Sequence, residues 1–188
     1  MFLIFNLCVS RLSAVILQLF MNLRETILAE HSKANCNKIV NWVGHSQKRF
    51  DELFNLFLIS EYRITQRAAW PISYCVIDHP DFISKHFSKL VKNLHKPGIH
   101  DSVKRNTVRL LQHINIPKKF HGEIMDLCFH YISSPAEPVA VKAFSLTILQ
   151  NLSSQYPEIK NEIKLIIEER WEQETAAFKS RAKKFLKS

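Results

Sequence analysis

The chain has 188 residues, 46% of them apolar and 23% charged, and carries a formal net charge of +9. That length and balance suit one soluble domain with a substantial core and exclude a disordered chain. Its three glycines, Gly44, Gly98 and Gly122, argue against all-β folds and glycine-rich phosphate loops, both of which need positive φ or close backbone approach.

The first twenty residues, MFLIFNLCVSRLSAVILQLF, look at first like a signal or an anchor. They lack a basic leading region and a small-x-small cleavage site, and Arg11 interrupts their middle. The expected reading is an upstream extension with translation starting at Met21. A membrane anchor or uncleaved signal and a packed helix are the alternatives. Residues 21–188 are expected to form a single helical domain, with 22–43 as its N-terminal cap.

From residue 46 onward the apolar spacing is helical and no useful β-alternation appears. Phe50, Leu53, Phe54 and Phe57 make one stripe; Ile83, Phe87, Leu90, Val91 and Leu94 make another. Phe120, Ile124, Leu127, Cys128 and Tyr131 make a third, and Ile159, Ile163, Ile166 and Ile167 begin a fourth. Between them runs a second helix type with a repeat. Val103, Thr107, Leu110, Leu111 and Ile114 recur, with the same internal spacing, as Val141, Ser145, Ile148, Leu149 and Leu152. Thr65, Ala69, Ile72, Ser73 and Val76 hold the same offsets one equal period earlier. The second member of each set is small, so a neighbouring helix can approach there. Pro80, Pro117 and Pro157 then enter the following helices, where a missing N–H costs nothing.

Helix pairs recurring at such a period indicate an α-solenoid. The segments DSVKRNTVRLLQHI and EPVAVKAFSLTILQNL resemble the second helix of HEAT-like repeats of the armadillo type. YRITQRAAWPISYCV matches less well, because Gln66 replaces the basic residue and Pro71 interrupts the helix. The fold expected is an all-α, α-α superhelix of about three to four helix pairs: 47–58 with 61–76, 81–95 with 101–114, and 118–132 with 138–153. One long terminal helix is expected from about 157 to 186.

The resemblance implies that second helices line a concave groove. Arg105, Arg109 and Gln112, with Arg67 from the preceding repeat and Tyr74 as an aromatic, are then the candidate partner-binding residues. Lys104 and Lys142 recur at equivalent positions and read as structural rungs bonding to acceptors near helix starts. Lys85, Lys89, Lys92 and Lys96 form a basic ridge on a first helix, on the convex side. Two basic faces in different directions speak more for solubility than for one focused site. Glu123, Asp126 and His130 share a face, but no metal-ligand set is complete, and no metal or other cofactor is expected. Trp70 reads as a core residue beside a proline kink. The tail, with Trp171, Phe178 and Phe185 at spacings of seven, is expected to dock on the last repeat.

No nucleophile elbow, P-loop or dinucleotide fingerprint is present, so no catalytic residue is assigned. Cys36, Cys75 and Cys128 fall in apolar helical positions and read as small core residues in a reducing, cytoplasmic setting. The expected function is non-catalytic: a monomeric binding or scaffold module that takes a protein or peptide in its groove. A nucleic-acid-binding relative of the repeat-type DNA glycosylases is the alternative. Membrane contact is expected only if residues 1–20 are genuine.

Overall fold

The structure is a computed structural model that describes residues 21–59 and 61–187. The N-terminal twenty residues, and with them Cys8 and the readings of an extension or an anchor, lie outside the described residues. Among the described residues there are ten α-helices and no strand. They divide into two compact units after Cys75.

The first unit begins with α1 (Leu23–Ala29) and α2 (Lys33–Val43) where one capping segment was expected. Each helix has its own start signal. Asn22 accepts the amide of Glu25, and Ser32 accepts that of Asn35, so each satisfies a donor with no partner inside its helix. Buried Asn35 ties the two helices together, donating from Nδ2 to the carbonyls of Thr26 (2.7 Å) and Glu30 (2.9 Å). Helix α2 stops at Gly44, whose φ of 48° is one that residues with a Cβ rarely adopt.

Helix α3 (Gln47–Ile59) places Phe50, Leu53, Phe54 and Phe57 at 0–1% exposure. The phenylalanine rings lie 5.8–5.9 Å apart from centroid to centroid along the stripe, close enough for aromatic pairing in addition to area burial. Helix α4 (Tyr62–Asp78) passes through Pro71 without a break. The interruption expected there does not occur.

The second unit is two layers of alternating helices. Pro80 opens a 3-10 turn, Pro80–His86, that leads into α5 (Phe87–Leu94), followed by α6 (Asp101–Leu111). Lys118–Phe120 make another 3-10 turn before α7 (His121–Ser133), followed by α8 (Val139–Leu152). Helix α8 packs on both α7 and α6, and α10 (Ala176–Leu186) packs on α8 in turn. Thr107 and Ser145, the small residues of the repeat, are buried to 2% and 0% exposure, as close packing of α6 and α8 requires.

The terminal segment is the main correction. In place of one helix over 157–186 there are two, α9 (Ile159–Arg170) and α10, separated by a 3-10 turn at Trp171–Gln173. Thr175 caps α10 by accepting the amide of Phe178. The break turns the expected tail into a further helix pair. Phe178 and Phe185 are buried, while Trp171 lies in the turn and is half-buried. Each buried phenylalanine contributes about 1.5–3 kcal/mol of burial energy toward seating α10.

Candidate second-helix face of the repeats

The lysines at equivalent repeat positions are rungs between successive second helices. Lys104 of α6 reaches forward with Nζ 2.8 Å from both oxygens of Glu137, two residues before α8 begins. Asp101 adds a longer contact at 3.3 Å. Burial works against the Lys104 charge, but the hydrogen bonds and charges of Glu137 and Asp101 outweigh it, and its pKa is raised.

The next rung repeats the geometry and is drier. Lys142 of α8 donates to Glu174 Oε1 at 2.6 Å, again two residues before the following helix. The two side chains are 6% and 1% exposed. Arg170 Nε and Nη2 donate to the same oxygen at 3.0 Å, and its Nη1 donates to the carbonyl of Ser133 at 2.9 Å. Burial pushes the Glu174 carboxyl upward. The hydrogen bonds and charges of Lys142 and Arg170 more than reverse this, and the carboxyl is held below its usual range.

A second recurring device closes helix C-termini, whose last carbonyls lack partners inside the helix. Arg67 of α4 donates to the carbonyls of Leu28 (2.7 Å) and Ile27 (3.4 Å), at the end of α1. Asn151 donates to the carbonyl of Gln112 just past α6, and Arg170 does the same for α7 through Ser133. The separations along the chain are 39, 39 and 37, close to the step from Val103 to Val141 that sets the sequence repeat.

The candidate binding residues therefore have different surroundings. Arg67 carries a helix-closing bond in the first unit. Tyr74, in the same unit, is half-buried and has the Lys33 ammonium 3.7 Å from its ring centroid. Trp70 is half-buried, unlike the core residue expected, with the His31 ring centroid at 5.6 Å and Lys33 at 5.8 Å.

In the second unit Arg105 is exposed and Arg109 half-buried on α6, while Gln112 Nε2 donates to the Arg109 carbonyl at 3.2 Å. The four lysines Lys85, Lys89, Lys92 and Lys96 are all exposed. They do not share one α-helix: Lys85 is in the 3-10 turn and Lys96 lies beyond α5.

Two side chains, Arg181 and His113, were given no place beside the second helices by the sequence pattern. Arg181 of α10 donates from Nη1 to Thr147 Oγ1 of α8 at 2.8 Å. Thr147 is the counterpart of Arg109 one repeat later, at the same register on the adjoining helix. His113 is exposed just past α6. Partial burial, then the charges of Arg109 and Arg181, lower its pKa. With α10 read as the end of one long helix, Arg181 had no place in the repeat. Splitting that segment before α10 is the step that lets α10 pack on α8 and bring Arg181 to Thr147.

Two histidines, His121 and His95, have specific local partners. His121, 3% exposed, bonds through Nε2 to the Ile116 carbonyl at 2.7 Å and through Nδ1 to the Tyr156 hydroxyl at 3.0 Å. Glu123 pairs with His95 at 2.8 Å. Cys36, Cys75 and Cys128 are buried, as their pattern predicted.

The family model for the HEAT repeat domain matches residues 23–188. The chain belongs to the HEAT-repeat family. No curated protein and no solved structure gives a significant match. HEAT repeats commonly mediate protein interactions, and membership makes this chain a helical-repeat scaffold or binding protein. The rungs explain how a HEAT chain with so degenerate a repeat keeps successive second helices in register. Among the described residues, no helix is long and apolar enough to cross a membrane.

Proposed function

We propose that the protein is a non-catalytic binding module that takes a protein or peptide partner on its second-helix face, with Arg105, Arg109 and Gln112 in contact. The observation that carries this reading is the separation of cations by role. Lys104 and Lys142 are committed to rungs, whereas Arg105 and Arg109 occupy positions whose counterparts in the next repeat are Ala143 and Thr147. The repeat does not require arginine there. Arg67 and Tyr74 belong to the proposed contact set in the first unit, with Arg67 also serving α1. The lysines from Lys85 to Lys96 act in solubility. Cysteines buried in apolar helical positions support work in a reducing cytoplasm, and the module is proposed to act as a monomer.

The test is comparative capture from native lysate with the wild-type chain and with Arg105→Glu/Arg109→Glu. Specific protein partners should be lost from the variant while its melting temperature stays nearly unchanged. A large fall in melting temperature would show the two arginines to be structural. Retention of nucleic acid that collapses between low and moderate salt would favour the nucleic-acid reading.

A further inference from the structure

Helix α10 repeats the pattern of α6 and α8 position for position. Counted from the helix start, Val103, Thr107, Leu110 and Leu111 of α6 correspond to Val141, Ser145, Ile148 and Leu149 of α8. The same positions of α10 hold Phe178, Ala182, Phe185 and Leu186. The rung lysine recurs as well: Lys104, Lys142 and Lys179 are each the fourth residue of their helix. Each stands two turns before the last leucine of its set and so shares its side of the helix.

That side is covered on α6 and α8 and open on α10. Leu111 and Leu149 are 1% and 0% exposed, whereas Leu186 is 44% exposed. Lys104 and Lys142 reach glutamates two residues ahead of the next second helix. Lys179 has no carboxylate partner among the described residues, and its ammonium lies 5.6 Å from the Trp171 ring centroid. Lys183, between Lys179 and Leu186, is exposed where its counterparts Val108 and Leu146 are buried. This flank of α10 keeps the register that receives a helix at both earlier steps, and its chemistry is basic.

We propose that the Lys179, Lys183 and Leu186 flank of α10 is an edge that docks an acidic helix of a polypeptide partner. A glutamate two residues before that helix takes Lys179, a further acid faces Lys183, and an apolar side chain covers Leu186. This goes beyond the contact at Arg105 and Arg109 by adding a second surface. Charge complementarity selects the occupant, since α10 holds four cations and no acid, and ammonium–carboxylate bonds are charge-assisted. Continuity with the packing of α8 on α6 and of α10 on α8 selects a helix over a nucleic acid. A second copy of the chain does not fit, because Glu137 and Glu174, its glutamates in that position, are already held by Lys104 and Lys142.

The probe is a designed fluorescent helical peptide with a glutamate two residues before its first turn and glutamate and leucine along one face. It is titrated into the full chain, with its glutamine counterpart and a DNA duplex as parallel arms. The glutamate peptide should bind and move the Trp171 indole resonance as Lys179 leaves that ring, with the Trp42 and Trp70 resonances unmoved. Lys179→Gln/Lys183→Gln should weaken binding roughly five- to tenfold, and Leu186→Glu should weaken it at least as much. Arg105→Glu/Arg109→Glu should change affinity less than about twofold. All variants are checked for an unchanged melting temperature. If Arg105→Glu/Arg109→Glu abolishes binding and the α10 variants do not, the edge is refuted while the second-helix face stands. Equal binding of the glutamine peptide, binding of the duplex alone, or no binding at saturating peptide would overturn the edge. Self-association of the chain that Leu186→Glu abolishes would overturn the choice of partner.

Discussion

Substituting Glu174 by alanine removes the carboxylate that Lys142 and Arg170 share, and the consequence can be worked out from burial. The Lys142 side chain is 6% exposed and that of Arg170 12%, so neither cation regains full hydration when its partner disappears. Breaking a buried pair from one side costs about 3–5 kcal/mol, since a charge remains in a poorly hydrated site. For a domain of this size each kcal/mol lowers Tm by roughly 2–4 °C or somewhat more. Glu174→Ala should therefore depress Tm by at least about 6 °C and shift the urea midpoint in parallel.

The preceding rung sets an internal standard. Lys104 and Glu137 side chains are 14% and 12% exposed, and Asp101 remains at 3.3 Å as a second acceptor. Glu137→Ala should cost only about 1–2 kcal/mol. The double change Lys142→Met/Glu174→Leu should recover most of the Glu174→Ala loss, because it removes the stranded charge as well. Acid supplies an independent check. The Glu174 carboxyl is held below its unfolded value, so the unfolded chain binds the proton more readily in that window. The rung's contribution is full above about pH 4.3, the unfolded glutamate value. It fades as pH falls through the lower folded value, and Glu174→Ala should lose that segment of the profile. Equal losses for Glu174→Ala and Glu137→Ala, or a Glu174→Ala cost below about 1 kcal/mol, would refute the reasoning.

Arg67→Ala removes the donor closing α1 and should cost about 1–2 kcal/mol, measured by urea unfolding, with the first faster-exchanging amides appearing in α1. His121→Leu strands the Ile116 carbonyl and the Tyr156 hydroxyl, and thermal unfolding should register a loss of about 1–3 kcal/mol. Burial raises the Cys128 thiol to about 12, partly offset by Ser145. Cys128 should therefore resist iodoacetamide at mildly alkaline pH in the folded chain and react on unfolding, as followed by peptide mass. Rapid native-state labelling of Cys128 would contradict the close packing of α7 on α8.

The helical period and the recurring second-helix pattern made the all-α HEAT fold legible, and the recurrence of Lys104 and Lys142 made their rung role legible too. The acceptors were harder to see. Glu137 and Glu174 stand almost one full repeat apart, a signal hidden by helical propensity that ran unbroken from Pro157 toward the end of the chain. No glycine or internal proline marked the break. A buried ion cluster and the Thr175 cap hold it, and these are tertiary choices that override local preference. Once the break is placed, Arg181 takes its position beside Thr147.

Pro71 failed as a breaker because α4 tolerates the lost hydrogen bond within a helix otherwise well buried through Ile64, Ala68, Ala69 and Ile72. Of the candidate site, Arg105 and Arg109 were visible from the contrast with Ala143 and Thr147. Arg67 was visible as a cation but not as the donor to α1, since that bond joins positions a whole repeat apart in the chain.

The proposal that the chain takes a protein partner on its second-helix face is tested most directly by capture from native lysate with the wild-type chain and with Arg105→Glu/Arg109→Glu. Specific protein partners should be lost from the variant while its melting temperature stays nearly unchanged. Equal capture of the same partners by the variant, or a large fall in its melting temperature, would contradict it.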